Sequence, residues 1–502
     1  MLYVLYAFLI GAASAFAFEP AGLWPLLLLA FAFLCELVDR TKSLPRALLT
    51  GWAFGLGQFV VGLNWIATAF TFQAAMPPWL GWVAVVLVSL YLAVYPALAA
   101  GLAWRFGRDD RTVLVVVLGG AWAITEWLRG SIFTGFPWNP AAAVLAPTPL
   151  ITIGALIGTY GLSGLVVLLG GAIWLEYRRQ WLPLVVILAV TALLWLLPAS
   201  AVPPDPLTVL NVRIVQPNIG QEDKWRPGFA EESDRRLIAE SLKPGGQRPR
   251  LLLWPEAAVT NPLQDELIVD QPYAVAERQH VAATTGPGEY LLTGGIGIYS
   301  KDGRAISGAT NSVFVLGQGG RIVDRFDKAH LTPYGEYLPM RPLLSAIGLS
   351  RLAPGDVDFT PGPGPRTLEL PGWGKIGLQI CYEIIFSGEV VDRDHRPAFI
   401  FNPSNDAWFG RWGPPQHVAQ ARLRAAEEGI PVIRSTPTGI SAVIDANGRI
   451  VQSLPWRTAG VIDTRIPPSA APTPFARLGN IIPLLLAFLL VASGIVLGRA
   501  RR

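Results

Sequence analysis

The stretch Gly377-Leu378-Gln379-Ile380-Cys381-Tyr382-Glu383 decides how the second half of the chain is interpreted. A short apolar run ends in a cysteine between polar residues, which predicts a buried strand that stops at a sharp turn with the thiol at its tip. The other of the two cysteines, Cys35, lies in a long apolar run, so Cys381 has no plausible disulfide or zinc-binding partner thiol. Two interpretations stay open. Cys381 is either a small buried hydrophobe or a nucleophile, and a nucleophile requires a nearby base and a positive group.

The composition divides the chain into parts of opposite character. Its 502 residues exceed one ordinary domain, and 52% of them are hydrophobic while 15% are charged. Residues 1–200 are poor in charge, residues 205–475 have the composition of a water-soluble domain, and residues 480–498 are apolar again. This pattern predicts a multi-pass α-helical membrane domain with one large domain outside the bilayer. The net charge of +4 does not indicate nucleic-acid binding, because the basic residues cluster beside the apolar runs.

Eight apolar runs are candidates for helices that cross about 30 Å of hydrocarbon, although the first two are short. They lie near residues 2–18, 22–38, 47–70, 80–104, 112–129, 149–175, 182–199 and 480–498. We therefore expect a seven-helix transmembrane domain in residues 1–200 and a C-terminal transmembrane helix in residues 480–498.

The charges between the apolar runs predict the orientation. Basic residues follow the second, fourth, sixth and last runs, namely Arg40, Lys42, Arg46, Arg105, Arg108, Arg111, Arg178, Arg179, Arg499, Arg501 and Arg502. The alternate loops near 19–21, 71–79 and 130–148 carry no Lys or Arg. The positive-inside rule places the basic loops in the cytoplasm. Seven crossings then put residues 205–475 on the other side, and the eighth returns the C-terminus to the cytoplasm.

The outer segment is predicted to alternate strands and helices after a stiff linker, Val202–Pro206. Strands are expected at 209–216, 251–254, 290–298, 311–316, 321–326, 376–380, 398–401 and 432–435, with helices at 230–242, 274–283 and 416–428. Such interleaving indicates an α/β or layered α+β domain with reactive residues at strand ends.

Three of these strand ends carry complementary chemistry. Glu256 follows the strand that ends at Trp254, Lys328 follows a predicted hairpin, and Cys381 ends a third strand. Glu256 could accept the thiol proton, and Lys328 could stabilise the thiolate and an oxyanion, together with the backbone N–H after Cys381. The alternative is an ordinary Glu256–Lys328 ion pair beside a cysteine that only packs. Sequence spacing leaves both possibilities open.

Three motifs carry a family resemblance. Trp254-Pro255-Glu256, the run from Asp327 to Tyr337 and Cys381-Tyr382-Glu383 resemble the catalytic motifs of the nitrilase (carbon–nitrogen hydrolase) superfamily. A domain of this kind flanked by seven apolar runs and one more is similar to the apolipoprotein N-acyltransferases of Gram-negative bacteria. The resemblance covers essentially the whole chain and includes Phe136–Trp138, Val215–Ile219 with Lys224-Trp225, and Asn402–Phe409.

The resemblance implies a four-layer αββα sandwich in residues 205–475 and an enzyme that transfers an acyl chain. The donor is a membrane phospholipid, and the acceptor is the N-terminal α-amine of a diacylglyceryl-cysteine apolipoprotein. The resemblance assigns Cys381 as nucleophile, Glu256 as general base and Lys328 as oxyanion partner. It implies no cofactor and no metal. The expected location is the bacterial inner membrane, with the catalytic domain in the periplasm and the protein a monomer.

Further residues are expected to support that site. Glu336 matches a family carboxylate and could orient Lys328, and Glu383 matches another that could position the thiol or the incoming amine. Tyr382 belongs to the same turn. Three tryptophans are candidates for contact with the lipid substrates, although core packing is the commoner role of a buried tryptophan: Trp138, Trp225 and Trp408.

Two segments leave a choice between binding lipid and simple packing. The aromatic loop Phe133–Pro140 either anchors the chain at the membrane interface or lines an entrance for a lipid chain. The segment Tyr337–Pro363 is long, apolar and rich in Pro and Gly, so it is either a mobile flap or a covering loop.

Two other classes of function compete with acyl transfer. A membrane-anchored amidase would use the same residues with water in place of the amine. A transporter or scaffold would be expected to carry charged or helix-breaking positions deep in several apolar runs, and this chain carries few.

Overall fold

A computed structural model of the chain describes residues 2–72, 76–197, 210–224, 226, 228–346, 348–352 and 357–500. The predicted linker Val202–Pro206 and Trp225 lie outside these residues. The described residues form an apolar helical part and an α/β part that pack directly against each other.

Within the described residues 2–72 and 76–197, the helical part has nine α-helices, which overlap the seven predicted apolar runs of that region. They are α1 (Leu2–Ser14), α2 (Pro25–Asp39), α3 (Leu44–Gly62), α4 (Trp65–Ala69), α5 (Leu80–Leu92), α6 (Val94–Gly107), α7 (Arg111–Ser131), α8 (Gly154–Tyr177) and α9 (Trp181–Leu196). Local signals fix some of their ends. The Asp110 carboxylate accepts hydrogen bonds from the N–H groups of Thr112 (2.8 Å) and Val113 (3.2 Å), which satisfies the first turn of α7.

Among the described residues, four helical stretches are long and apolar enough to cross a membrane on their own. They are Leu80–Gly107, Arg111–Ser131, Pro149–Tyr177 and Ile481–Ala500. The pair Leu44–Gly62 and Trp65–Phe72, bent by 42°, supplies a fifth if it forms one span. Leu2–Ala17 and Trp181–Leu196 are shorter apolar helices. The chain is therefore a membrane protein, while the count of eight crossings stays a prediction.

The remaining elements form the α/β part and the C-terminal helix. The helices are α10 (Phe229–Leu242), α11 (Pro272–Ala282), α12 (Arg341–Ala346), α13 (Gly413–Glu428), α14 (Pro474–Leu478) and α15 (Ile481–Ala500). The strands are β1 (Asn211–Gln216), β2 (Leu251–Leu253), β3 (Gln264–Asp265), β4 (Tyr290–Tyr299), β5 (Gly308–Leu316), β6 (Ile322–Asp327), β7 (Thr367–Leu370), β8 (Gly374–Leu378), β9 (Phe399–Pro403), β10 (Val432–Ser435), β11 (Ala442–Ile444), β12 (Ile450–Ser453) and β13 (Gly460–Arg465).

These strands build two sheets. One has the order β13-β1-β2-β4-β5-β6 with β3 paired to β4, and the other has the order β12-β11-β10-β9-β8-β7. β1, β2 and β4 run parallel in the first sheet, as do β8, β9 and β10 in the second. Carboxyl ends of parallel strands share one edge of a sheet, so residues that follow β2 or β8 are delivered to such edges.

Alternation along β2 shows how the sheets stack. Leu251 and Leu253 share one apolar core with Leu378 of the other sheet, whereas Leu252 lies in a separate core with Leu237 of α10 and Val281 of α11. α13 covers the other sheet, with Ala421 and Ala425 in the core between them. The layers are therefore helix, sheet, sheet and helix, which confirms the predicted αββα sandwich.

α13 also joins the two parts of the molecule. Its Ala419, Leu423 and Ala426 pack into the core of the helical part. One helix thus has one apolar face in each core, and the residues at its start lie close to both.

Candidate active site

Glu256, Lys328 and Cys381 meet in one buried cluster. Glu256 follows β2, Lys328 follows β6, and Cys381 begins a 3-10 turn, Cys381–Ile385, three residues after β8 ends. The Lys328 Nζ lies 3.4 Å from Glu256 Oε1 and 2.8 Å from the Oε2 of a second carboxylate, Glu336. The Cys381 thiol lies close enough for the charges of Glu256 and Lys328 to shift its pKa. The structure therefore brings together the three residue types that the sequence placed at separate strand ends.

The backbone at Cys381 is held in a conformation that is unfavourable for a side-chain-bearing residue. Its φ is +51°, in the left-handed region. The Nε2–H of His417 donates to the Cys381 carbonyl at 3.1 Å, and the Asn402 amide lies 3.5 Å from the same oxygen. These contacts fix the turn that presents the thiol.

His417 is itself held by a buried charge pair. Its Nδ1 lies 3.0 Å from Asp406 Oδ1 and 3.0 Å from Arg434 Nη2, and Arg434 also binds Asp406 at 2.5 Å. Burial, reinforced by the Arg434 charge, lowers the pKa of His417 below its usual value. The Cys381 carbonyl can only accept, so Nε2 carries a proton, while Nδ1 lies between the Arg434 donor and the Asp406 acceptor.

The turn after Glu256 depends on close backbone approach. Ala257 has φ +47°, and the Lys224 ammonium donates to its carbonyl. On the neighbouring strand β4, a Cβ at Gly294 would lie 2.5 Å from the Ala257 nitrogen and 2.6 Å from the Pro255 oxygen. Glycine is therefore required at 294 for the Glu256 turn to sit against the sheet. Burial lowers the pKa of Lys224 to about 8, although the Glu256 charge opposes this shift.

Burial and neighbouring charges together shift the pKa values of Cys381 and Lys328. Burial, together with the Glu256 charge, raises the pKa of Cys381 well above its usual value, and the Lys328 charge offsets only part of this. Burial would lower the pKa of Lys328, but Glu336 and Glu256 outweigh burial and raise it. The cluster thus favours a neutral Cys381 thiol beside a charged Lys328 ammonium.

Glu383 binds backbone groups from both sides of the site. One oxygen accepts the N–H groups of Ala329 (2.7 Å) and His330 (3.0 Å), and the other accepts the N–H of Ile380 (2.7 Å). Burial raises its pKa to about 7, against the effect of these donors. Glu383 therefore ties the Lys328 segment to the Cys381 turn, and its predicted contact with substrate stays a prediction.

Sequence reasoning missed Asn311, in the middle of β5. Its Nδ2 donates to Glu256 Oε1 at 2.8 Å and to Glu336 Oε1 at 2.7 Å. The available signal was the polar run Thr310-Asn311-Ser312 inside an otherwise apolar strand. Glu336 also accepts the Thr332 N–H at 2.7 Å, so it is fixed from three directions.

The loop Phe133–Pro140 contacts the residues beside the nucleophile and the lysine. The Tyr382 hydroxyl donates to the Gly135 carbonyl at 3.2 Å, and His330 Nε2 lies 2.8 Å from the Thr134 carbonyl. Phe133 projects outward with 87% of its surface exposed. The loop therefore adjoins the site while exposing an aromatic ring.

The tryptophans are placed differently from one another. Trp138 is fully buried and packs 4.5 Å from the ring of Trp65, another residue of the helical part. Its Nε1–H donates to Gln416 Oε1 of α13 at 2.8 Å, which is a contact between the two parts. Trp408 is partly buried, with its ring edge-on to Phe72 at 5.9 Å. Contact of Trp138, Trp225 or Trp408 with substrate stays a prediction.

The segment Tyr337–Pro363 contains α12, whose neighbour Met340 and member Leu343 are 64% and 62% exposed. An Arg341–Asp358 ion pair bridges the two ends of its described portion. Residues 347 and 353–356 lie outside the described residues. Whether this segment is a mobile flap stays a prediction.

Comparison with known proteins first gives the class. A family profile described as carbon–nitrogen hydrolase matches residues 212–474, which contain both sheets and the buried cluster. A solved structure, that of Saccharomyces cerevisiae Nit3 of the nitrilase superfamily, is 18% identical to this chain. The match covers 54% of this chain and 93% of the Nit3 chain, with a TM-score of 0.37. Because that score is low, the class rests on the family profile.

The family follows from the remaining comparisons. The profile of the apolipoprotein N-acyltransferase N-terminal domain matches residues 10–172. An apolipoprotein N-acyltransferase of Rhodopseudomonas palustris is 35% identical over 97% of this chain and 93% of its own. One of Caulobacter vibrioides is 35% identical over 99% of this chain and 94% of its own. The chain belongs to the apolipoprotein N-acyltransferase family.

Proposed function

We propose that this chain transfers an acyl chain from a membrane phospholipid to the N-terminal α-amine of a diacylglyceryl-cysteine apolipoprotein. The observation that carries the proposal is the buried cluster of Glu256, Lys328 and Cys381 directly beside the loop of the apolar helical part. Family membership supports the reaction, and this geometry supports the roles of the residues. Both substrates are anchored in a bilayer, so a site adjoining membrane helices suits them.

In the first half-reaction, Glu256 takes the proton of the Cys381 thiol as sulfur attacks the ester carbonyl of the phospholipid. The Lys328 ammonium and the backbone N–H of Tyr382 stabilise the oxyanion. The intermediate collapses when the carbon–oxygen ester bond breaks and Glu256 returns the proton to the lysophospholipid alkoxide. The product is a thioester on Cys381.

In the second half-reaction, the acceptor amine attacks the thioester carbonyl and Glu256 takes a proton from the amine nitrogen. The carbon–sulfur bond breaks, the proton returns to sulfur, and an amide remains on the acceptor. Two bulky lipids thus use one cavity in turn, because the acyl chain stays on the protein between the steps.

The proposed setting is the bacterial inner membrane. Residues 1–200 would cross it seven times, residues 205–475 would form the periplasmic catalytic domain, and residues 480–498 would cross once more. The basic loops that follow alternate apolar runs support this orientation. The proposed partners are a phospholipid donor, the apolipoprotein acceptor and the bilayer, with one copy of the chain sufficient.

The test supplies the purified chain in detergent with a phospholipid carrying a labelled acyl chain. We expect a hydroxylamine-sensitive label on the parent protein and none on Cys381→Ser. Addition of a diacylglyceryl-cysteine peptide should move the label to its amine. Transfer that persists in Cys381→Ser would refute the mechanism. Release of free fatty acid with no labelled peptide would instead identify a membrane-anchored hydrolase.

A further inference from the structure

Asn311 lies between the two carboxylates of the site. Its Nδ2 donates one hydrogen to Glu256 Oε1 at 2.8 Å and the other to Glu336 Oε1 at 2.7 Å. Lys328 binds the same two carboxylates, at 3.4 Å and 2.8 Å. Glu256, Asn311, Glu336 and Lys328 therefore form a closed ring in which both amide hydrogens of Asn311 point to carboxylate oxygens and Lys328 contacts the same two carboxylates.

Chemistry fixes the orientation of the Asn311 amide. If the amide were rotated, its carbonyl oxygen would face two carboxylate oxygens and no donor would lie between them. The NH2 group, with two hydrogens, serves both carboxylates at once. Asn311 is only 8% exposed, so water cannot easily replace this arrangement.

We propose that Asn311 is a positioning residue that keeps Glu256 and Glu336 ionised together and leaves Oε2 of Glu256 to take the thiol proton. The inference rests on the proposed role of Glu256 as base. Two carboxylates in one buried site ordinarily share a proton, because like charges at short range cannot both persist. The Asn311 amide donates one hydrogen bond to each carboxylate, and neither carboxylate has to bind a proton. Glu256 therefore remains able to act as a base.

The other charges around the pair do not replace Asn311. Lys328 carries one positive charge and contacts two carboxylates. In the proposed mechanism it also stabilises the oxyanion. Lys224 and the Cys381 thiol interact with Glu256, and His330 interacts with Glu336. Lys224 donates to the Ala257 carbonyl, and His330 binds the Thr134 carbonyl. Only Asn311 donates to Oε1 of both carboxylates among the described hydrogen bonds.

The test measures single-turnover thioester formation from labelled phospholipid across pH 5.5 to 9 for the parent and Asn311→Leu, a variant of similar volume without donors. We expect the acidic limb of the pH–rate profile to move up by about one to two pH units, because two hydrogen bonds to charged groups are lost. At pH values on the acidic limb, the rate of Asn311→Leu should be about tenfold or more below that of the parent. At high pH the variant should recover most of the parent rate.

A purely structural role would give a different result. The loss would then be the same at every pH, and that result would overturn the inference, as would an unchanged profile. Asn311→Ala tests the same shift if the leucine variant fails to fold. Thr310→Val is the matched control, because it removes a buried 2.9 Å hydrogen bond with Ser312 on the same strand. The acidic limb of its pH–rate profile should stay where it is in the parent. If the parent forms no thioester, the proposed function fails instead.

Discussion

Cys381 lies beside both a carboxylate and an ammonium, and the balance between burial and these charges determines how its sulfur can act. Burial and the Glu256 charge raise the pKa of the thiol, and Lys328 lowers it by less. A preformed thiolate is therefore disfavoured. In the proposed mechanism the proton leaves as the carbon–sulfur bond forms, so Glu256 is both the proposed base and one cause of the raised thiol pKa.

Because Glu256 is the proposed base and also raises the thiol pKa, Glu256→Gln should slow acyl-enzyme formation and speed alkylation of Cys381. Acyl-enzyme formation should fall by about 10²- to 10⁴-fold because the base is lost. Alkylation of Cys381 by iodoacetamide should become faster at pH 7 to 8, by about tenfold for each unit that the thiol pKa falls, because the neighbouring negative charge is gone. Both rates are measured on the same preparation by mass spectrometry.

Glu369→Gln on the exposed face of β7 is the control, and both rates should match those of the parent. If Glu256→Gln slowed alkylation as strongly as acylation, the substitution would have closed or distorted the site. The assignment of Glu256 as base would then lose its support.

At the scale of elements, Glu383 connects the segment after β6 to the turn after β8. The pKa of its carboxyl is raised from 4.5 to about 7 by burial. The native state therefore holds this proton more tightly than the unfolded chain does, and stability falls as pH rises from about 4.5 to 7. The shift corresponds to about 3 kcal/mol.

The corresponding prediction concerns Glu383→Gln. The free energy of unfolding of the parent, measured relative to this variant by denaturant titration in detergent, should decrease by about 3 kcal/mol between pH 4.5 and 7, because glutamine does not titrate. Acylation should also weaken, since an amide has one oxygen for three N–H donors. A difference in stability that stays constant with pH would contradict the raised pKa.

Strands and helices could be predicted from the sequence, but the register between distant strands could not. Apolar runs and strand ends predict the buried strands, an α/β or layered α+β domain and the delivery of Glu256, Lys328 and Cys381 to strand ends, because these depend on local pattern. The four-layer αββα arrangement is implied by the family resemblance. The pairing of β4 with β5, which sets Asn311 opposite Ile296, depends on register between distant segments. No local pattern encodes that register, so the sequence places Asn311 only at the start of the predicted strand 311–316. For the same reason the packing of Trp138 against α13 was not anticipated.

At the scale of the whole molecule, the start of α13 joins the two parts. Gln416 is fully buried, and its Nε2 donates to the carbonyls of Glu19 (3.0 Å) and Gly62 (3.3 Å). Its Oε1 accepts from Trp138 Nε1 at 2.8 Å. One side chain therefore binds three segments of the helical part, while the next residue, His417, holds the Cys381 carbonyl. Docking of the two parts and the geometry of the nucleophile are connected through adjacent residues.

This arrangement predicts that Gln416→Leu loosens the interface. The substitution removes the partner of the buried Trp138 N–H, of the buried Gly62 carbonyl and of the part-buried Glu19 carbonyl. Each buried group left without a partner costs about 1–3 kcal/mol. We expect a lower unfolding temperature in detergent and faster hydrogen exchange in α13 and in the loop Phe133–Pro140, with α10 unchanged. Gln420→Leu is the matched control and should have a smaller effect, since among the described residues its side chain donates only to the Gln416 carbonyl within α13, at 3.4 Å. Equal effects of the two substitutions would mean that apolar packing of α13, rather than Gln416, holds the parts together.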